Sequence, residues 1–129
     1  MKDIQIPKIY SIKKTEKDLL KDWFYLMTIG RAIDNKAPNY LKQAIGWSYH
    51  APYAGHDGIQ LASGYFFEKN KDHMFLYYRD MLTALSCGIS AEEIILNGIS
   101  KATDPSSAGR HMSNHFAKPE WNIHSSSSS

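Results

Sequence analysis

Met74, Phe75, Leu76, Tyr77 and Tyr78 form a short unbroken run of apolar and aromatic side chains. Such a run predicts a fully buried strand of a parallel sheet, near 73–78. Around it the apolar positions follow helical spacing instead. Leu19, Leu20, Trp23, Phe24, Met27 and Ile33 predict a long helix over about 16–36, with Thr15 and Asp18 as a capping box at its start. Pro38 is expected to interrupt it and to begin a second, shorter helix through Leu41 and Ile45 that Gly46 stops. Asp57 would cap a helix near 57–67, with Ile59, Ala62, Tyr65 and Phe66 on one side. Asp80 suits the first turn of a helix near 80–87 that ends at Gly88. Ser90 and Glu93 make a further capping box ahead of a helix near 91–99 carrying Ile94, Ile95 and Ile99. The order helix, strand, helix points to an α/β protein that is mostly helical, with one or few short strands.

Three stretches lack a period. Residues 1–14 are rich in lysine and broken by Pro7, which predicts an extended amino-terminal arm ahead of a domain over 15–129. Trp47 to Gly58, WSYHAPYAGHDG, reads as a loop whose aromatics either enter a pocket or pack as a buried connector. From Lys101 to His124 little regular structure is expected, and loops of that length inside a domain are usually functional or disordered. Arg110, His111, Asn114 and His115 alternate there with Met112 and Phe116, a mixture that suits a loop folded over a site. His111, His115 and His124 raise the question of zinc, but no cysteine or carboxylate completes a ligand spacing, so no metal site is assigned.

Composition narrows the function classes. The 129 residues suit one domain, and a net charge of +2 from 15 basic and 13 acidic side chains sets up no basic field for nucleic acid or a membrane surface. No apolar run approaches a membrane span and the start lacks a secretory signal, so the cytoplasm is the expected location. The single cysteine, Cys87, excludes an internal disulfide and reads as a small buried side chain rather than a nucleophile. No phosphate-cradling glycine loop, Ser-His-Asp order or Cys-His signature is present.

Arg79 closes the strand run. Ligands of open α/β sheets sit beyond the carboxyl ends of the strands, so a guanidinium there is well placed for a phosphate. The competing reading is a strand-end arginine paired with a nearby carboxylate.

Three segments, SYHAPYAGHDG (48–58), FLYYRDMLTALSCGIS (75–90) and KATDPSSAGRHMSNHF (101–116), resemble in order and spacing the amino-terminal part of the α subunit, or α half, of thiamine-diphosphate-dependent 2-oxo acid dehydrogenases. The branched-chain (2-oxoisovalerate) type is the most similar, and the resemblance runs from about Asp18 onward. It implies the front part of a thiamine-diphosphate-binding fold. It also implies an oxidoreductase component that decarboxylates a small 2-oxo acid and passes the acyl group to a lipoyl arm, whose disulfide is the acceptor. Tyr78 and Arg79 would then hold the diphosphate. Tyr49 would lie against the substrate side chain, and His115 would belong to the loop over the active site as its catalytic residue. A serine pair follows that loop in the family and falls here on Ser127 and Ser128, with Ser128 toward the cofactor.

The family continues into a Gly-Asp-Gly motif and a downstream Asn that bind Mg2+ on the diphosphate, and these ligands would lie beyond this chain. The implied partners are a β subunit or fused β half, which supplies the glutamate that activates the cofactor, and a lipoyl-bearing acyltransferase. By this resemblance the chain looks like the front third of an α subunit, inactive alone. The alternative is a non-catalytic α-like module that docks on a β partner.

Overall fold

The computed structural model describes residues 14–126. Four helices and a two-stranded parallel sheet follow in the order α1 (Lys14–Lys42), α2 (Asp57–Phe66), β1 (Met74–Leu76), α3 (Met81–Ser86), α4 (Ala91–Gly98) and β2 (Ile123–Ser125). A 3-10 turn at Pro119–Trp121 leads into β2. Met74 pairs with Ile123, Phe75 with His124 and Leu76 with Ser125. This is the expected mostly helical α/β architecture. The expected arm lies outside the described residues, apart from Lys14, which is already helical. No described helix is long and apolar enough to cross a membrane.

The core is continuous. Ile33 and Ala37 of α1, Leu61 of α2, Leu76 of β1, Ile94 of α4 and Ile123 of β2 meet around α3, where Met81, Leu82, Ala84 and Leu85 are all buried. Close helix packing needs small residues. Gly64 of α2 lies against Ser86 and the Thr83 carbonyl, so any side chain there would push α3 away. At its amino end α2 is tied to α1, because Arg31 Nη2 donates to both oxygens of Asp57 at 2.8 and 2.7 Å. Burial alone would raise the Asp57 carboxyl pKa. The hydrogen bonds from Arg31 and from the Gly55 amide outweigh it and hold the group below its ordinary value.

Several boundaries differ from those the pattern predicts. Pro38 does not end the first helix but sits inside α1. A proline there removes one hydrogen bond, at a cost of about 3 kcal/mol or more. Burial of Ile33, Asp34 and Ala37 against the core holds the helix through it. Because α1 is already running at Lys14, Thr15 is not its cap. The residue that closes the helix, just past Lys42, is Ala44 rather than Gly46. Ala44 adopts φ 54°, its amide donates to the Leu41 carbonyl at 3.1 Å, and the Ile45 amide donates to that of Tyr40 at 3.2 Å. This is the Schellman pattern. The same pattern closes α3 at Gly88, as expected, and α4 at Ser100.

Asp57 is the first residue of α2 rather than its cap; His56 holds the cap position without a side-chain bond. The capping box of α4 is present: the Glu93 amide donates to Ser90 Oγ at 3.2 Å and the Ser90 amide to Glu93 Oε2 at 2.7 Å. Glu93 also takes the Lys118 ammonium at 2.6 Å, which ties the late loop to α4.

The strand is shorter and less buried than its composition implies. Leu76 is buried, but Phe75 is 66% exposed and lies against the His124 ring, with centroids 4.8 Å apart. One face of β1 meets the core and the other does not, so the run alternates. Its partner β2 lies in the stretch where little regular structure is expected.

Candidate functional site

At the carboxyl end of β1 the chain turns sharply. The Asp80 amide donates to the Tyr77 carbonyl at 2.9 Å, and the Tyr77 amide donates to Asp80 Oδ2 at 2.8 Å. This turn folds the Tyr77 and Tyr78 rings together, with centroids 3.8 Å apart, and leaves Arg79 at its corner. β2 ends beside it, and the Ser126 amide donates to the Leu76 carbonyl at 3.1 Å. Because the strands are parallel, both carboxyl ends face this one region, where ligands of α/β sheets bind. Ser125 Oγ, the last strand hydroxyl, is buried without a hydrogen-bond partner among the described residues.

Donors converge on the Tyr78 hydroxyl. Arg79 Nη1 lies 3.3 Å from it, and the guanidinium carbon is 4.9 Å from the centre of the Tyr78 ring. The Tyr77 hydroxyl bonds to it as well and is the largest influence holding the Tyr78 phenol below its ordinary pKa; desolvation opposes this, and Tyr49 and Arg79 support it. Tyr49, which meets the Tyr78 ring edge-on at 5.4 Å, is shifted the other way, because burial and its hydrogen bond to Tyr78 both favour the protonated phenol. Among the described residues Arg79 pairs with no carboxylate, so the strand-end salt bridge considered from the sequence does not form. The result is a guanidinium beside clustered phenolic hydroxyls at the strand end, donor types that suit an anionic ligand.

The loop over 101–117 supplies the other wall. Asp104 is buried and organises it: its carboxylate accepts from the amides of Ser106, Ser107 and Gly109 and from the Ser107 hydroxyl. Asn97 of α4 reaches the same carboxylate at 3.3 Å and accepts the Asn114 amide at 2.8 Å. His115 is 8% exposed, with its ring 6.4 Å from that of Tyr78. Its Nδ1 lies 3.1 Å from the Ser113 carbonyl, which can only accept. That contact makes Nδ1 the donor, and in the neutral ring Nε2 is then the acceptor.

The 47–58 loop is split in its roles. Trp47 and Tyr53 are buried in the core while Tyr49 faces Tyr78, so it is both connector and site wall. Burial pushes the Tyr53 phenol up to about 12.

The structure therefore brings Tyr49, Tyr78, Arg79 and His115 together. Ser127 and Ser128 lie outside the described residues. His124 is removed from the other loop histidines: its Nε2 is 3.0 Å from Nδ1 of His73. Among the described residues no three His, Cys, Asp or Glu side chains are placed to hold a metal ion. Cys87 is buried and its thiol pKa is pushed up to about 11, which suits a packing role. Sequence reasoning missed Gln60, Asn97 and Asp104, polar side chains that are buried. Their only signal was polarity within an otherwise apolar or turn-forming pattern.

The profile of the dehydrogenase E1 component family matches residues 25–128. The chain belongs to the dehydrogenase E1 component family. Among curated proteins it is similar to the 2-oxoisovalerate dehydrogenase subunit alpha of Bacillus subtilis (strain 168), with 34% identity over 74 residues. That match covers 57% of this chain and 22% of the relative's length. The E1 match includes Tyr49, Tyr78, Arg79 and His115, and the resemblance to a branched-chain 2-oxo acid dehydrogenase α subunit that the motifs carry is found again in this relative.

Proposed function

We propose that this chain is the front part, over 15–129, of the α subunit of an E1 component that decarboxylates a 2-oxo acid on thiamine diphosphate and passes the acyl group to a lipoyl carrier. One observation carries the reading: at the carboxyl end of β1, Arg79 is unpaired by any described carboxylate and converges with the Tyr78 hydroxyl. A diphosphate needs such donors. The donor set fits it, because the fork of a guanidinium bonds two phosphate oxygens at once and phenols add neutral donors.

When bound, thiamine diphosphate supplies the nucleophilic carbon and the electron sink for loss of carbon dioxide. The residues of this chain hold and orient. Arg79 and Tyr78 would take the diphosphate, and Ser128 would join them, as the family resemblance implies. Tyr49 presents its ring to the substrate side chain. His115, with Nδ1 protonated against the Ser113 carbonyl, offers Nε2 to take or return a proton in the site. The Mg2+ ligands belong to downstream residues, and a β subunit or fused β half and a lipoyl-bearing acyltransferase complete the assembly.

The test is carbon dioxide release by the full-length protein with its β part, supplied with thiamine diphosphate, Mg2+ and a panel of branched-chain and unbranched 2-oxo acids. Release that needs the cofactor, with reduction of a lipoyl acceptor, is expected. No release from any acid by a protein that still binds its β part would identify a non-catalytic docking module.

A further inference from the structure

Gln60 lies in α2, far in sequence from the turn that carries Arg79, yet it is only 4% exposed. Both ends of its amide are used on that turn. Nε2 donates to the Arg79 carbonyl at 2.8 Å, and Oε1 accepts the Leu82 amide at 3.1 Å. The two contacts fix the amide's orientation, because a flipped group would set oxygen against the carbonyl and N–H against N–H. Gln60 thus spans the corner, gripping the backbone at Arg79 and again three residues on, at the start of α3.

The Arg79 side chain, by contrast, is lightly held. Its one hydrogen bond among the described residues is the 3.3 Å contact to the Tyr78 hydroxyl, and no carboxylate fixes the guanidinium. What aims it is therefore its backbone. Asp80 closes the turn from within through the Tyr77 amide, and Gln60 anchors the Arg79 carbonyl from the core. Without this partner the part-buried Arg79 carbonyl would turn toward water, rotating the peptide plane next to the Arg79 side chain.

We propose that Gln60 is the positioning residue for Arg79 and so sets the affinity of the site for the diphosphate, an inference that rests on the proposed role of Arg79. The residue touches no reacting atom.

The experiment is a double-mutant cycle on the full-length protein with its β part, read by calorimetric titration of thiamine diphosphate at fixed Mg2+. The cycle uses Gln60→Met, Arg79→Ala and their combination. Gln60→Met alone should weaken binding roughly three- to tenfold, the range of one or two lost neutral hydrogen bonds. In the Arg79→Ala background the same change should cost less than about twofold, because the group it aims is gone. A merely structural residue would give equal effects in both backgrounds, and that result overturns the proposal while leaving Arg79 in the site. If Arg79→Ala itself leaves affinity unchanged, the reading of the site fails, and this inference with it. Should Gln60→Met not fold, Gln60→Glu carries the same test, since it keeps an acceptor for the Leu82 amide and loses the donor to the Arg79 carbonyl. Loss of folding in both variants would assign Gln60 to stability and overturn the proposal.

Discussion

Two glycine-to-alanine changes should act in opposite directions, and the structure says why. Gly98, the last residue of α4, lies beneath the Trp47 indole, and a Cβ there would overlap three ring atoms, Cζ2, Cη2 and Cε2. The ring has little freedom to slide. It is 2% exposed, its Nε1 donates to Asn114 Oδ1 at 3.2 Å, and the Trp47 amide donates to the Gly98 carbonyl at 2.6 Å. Forcing a methyl group into a packed core costs about 1–3 kcal/mol, and losing the indole hydrogen bond adds about 1 kcal/mol. The better helix propensity of alanine offsets up to about 1 kcal/mol. Gly98→Ala should therefore destabilise the protein by about 2 kcal/mol, lowering the melting temperature by roughly 8 °C for a domain of this size.

Gly58, in the first turn of α2, has nothing within 4 Å of the same built atom. Gly58→Ala keeps only the propensity gain and should raise the melting temperature by roughly 2–4 °C. The assay is thermal unfolding followed by circular dichroism and tryptophan fluorescence. Equal shifts for the two variants, or a Gly98→Ala protein as stable as the parent, would refute the argument from packing.

Ala44→Gly should stabilise by about 1 kcal/mol, because Ala44 closes α1 at φ 54°, where a Cβ is penalised; an unchanged urea midpoint would show that the cap is not strained. His50 titrates below its ordinary 6.5, since burial disfavours its charged form and nearby Asp34, 3.2 Å from Nε2, only partly compensates. The unfolded chain therefore takes this proton first, so stability is full above about 6.5 and falls as pH drops below it. Replacing the imidazole, as in His50→Gln, should flatten that part of the urea-midpoint profile, and an identical profile would remove His50 as its source.

The helices and their order were legible because they rest on local rules. The Ser90 and Glu93 box and the stop at Gly88 each act within a few residues, and both appear in the fold, whereas the apolar side expected of α2 does not: Ile59, Tyr65 and Phe66 are exposed, and the helix buries Gln60, Leu61 and Gly64 instead. What the sequence hid depends on distant partners. Pro38 reads as a break until the burial of Ala37 is known. β2 is three residues long and becomes a strand only by pairing with β1, 49 residues earlier in register. The candidate site divides the same way. Arg79 could be placed near a strand end from its own neighbours, but that its guanidinium pairs with no described carboxylate shows only in the fold. Gln60 was invisible because its donor and acceptor contacts lie 19 and 22 residues away, in the turn after β1 and at the start of α3.

The central claim is that Arg79 grips a diphosphate, and Arg79→Lys tests it most directly because the charge is kept while the planar fork is lost. Calorimetric titration of thiamine diphosphate into the full-length protein with its β part, at fixed Mg2+, should show affinity weakened by roughly tenfold to a hundredfold, the equivalent of one charge-assisted bond. The melting temperature of the cofactor-free protein should stay put, since no described carboxylate depends on the guanidinium. An unchanged dissociation constant would contradict the account and remove Arg79 from the site.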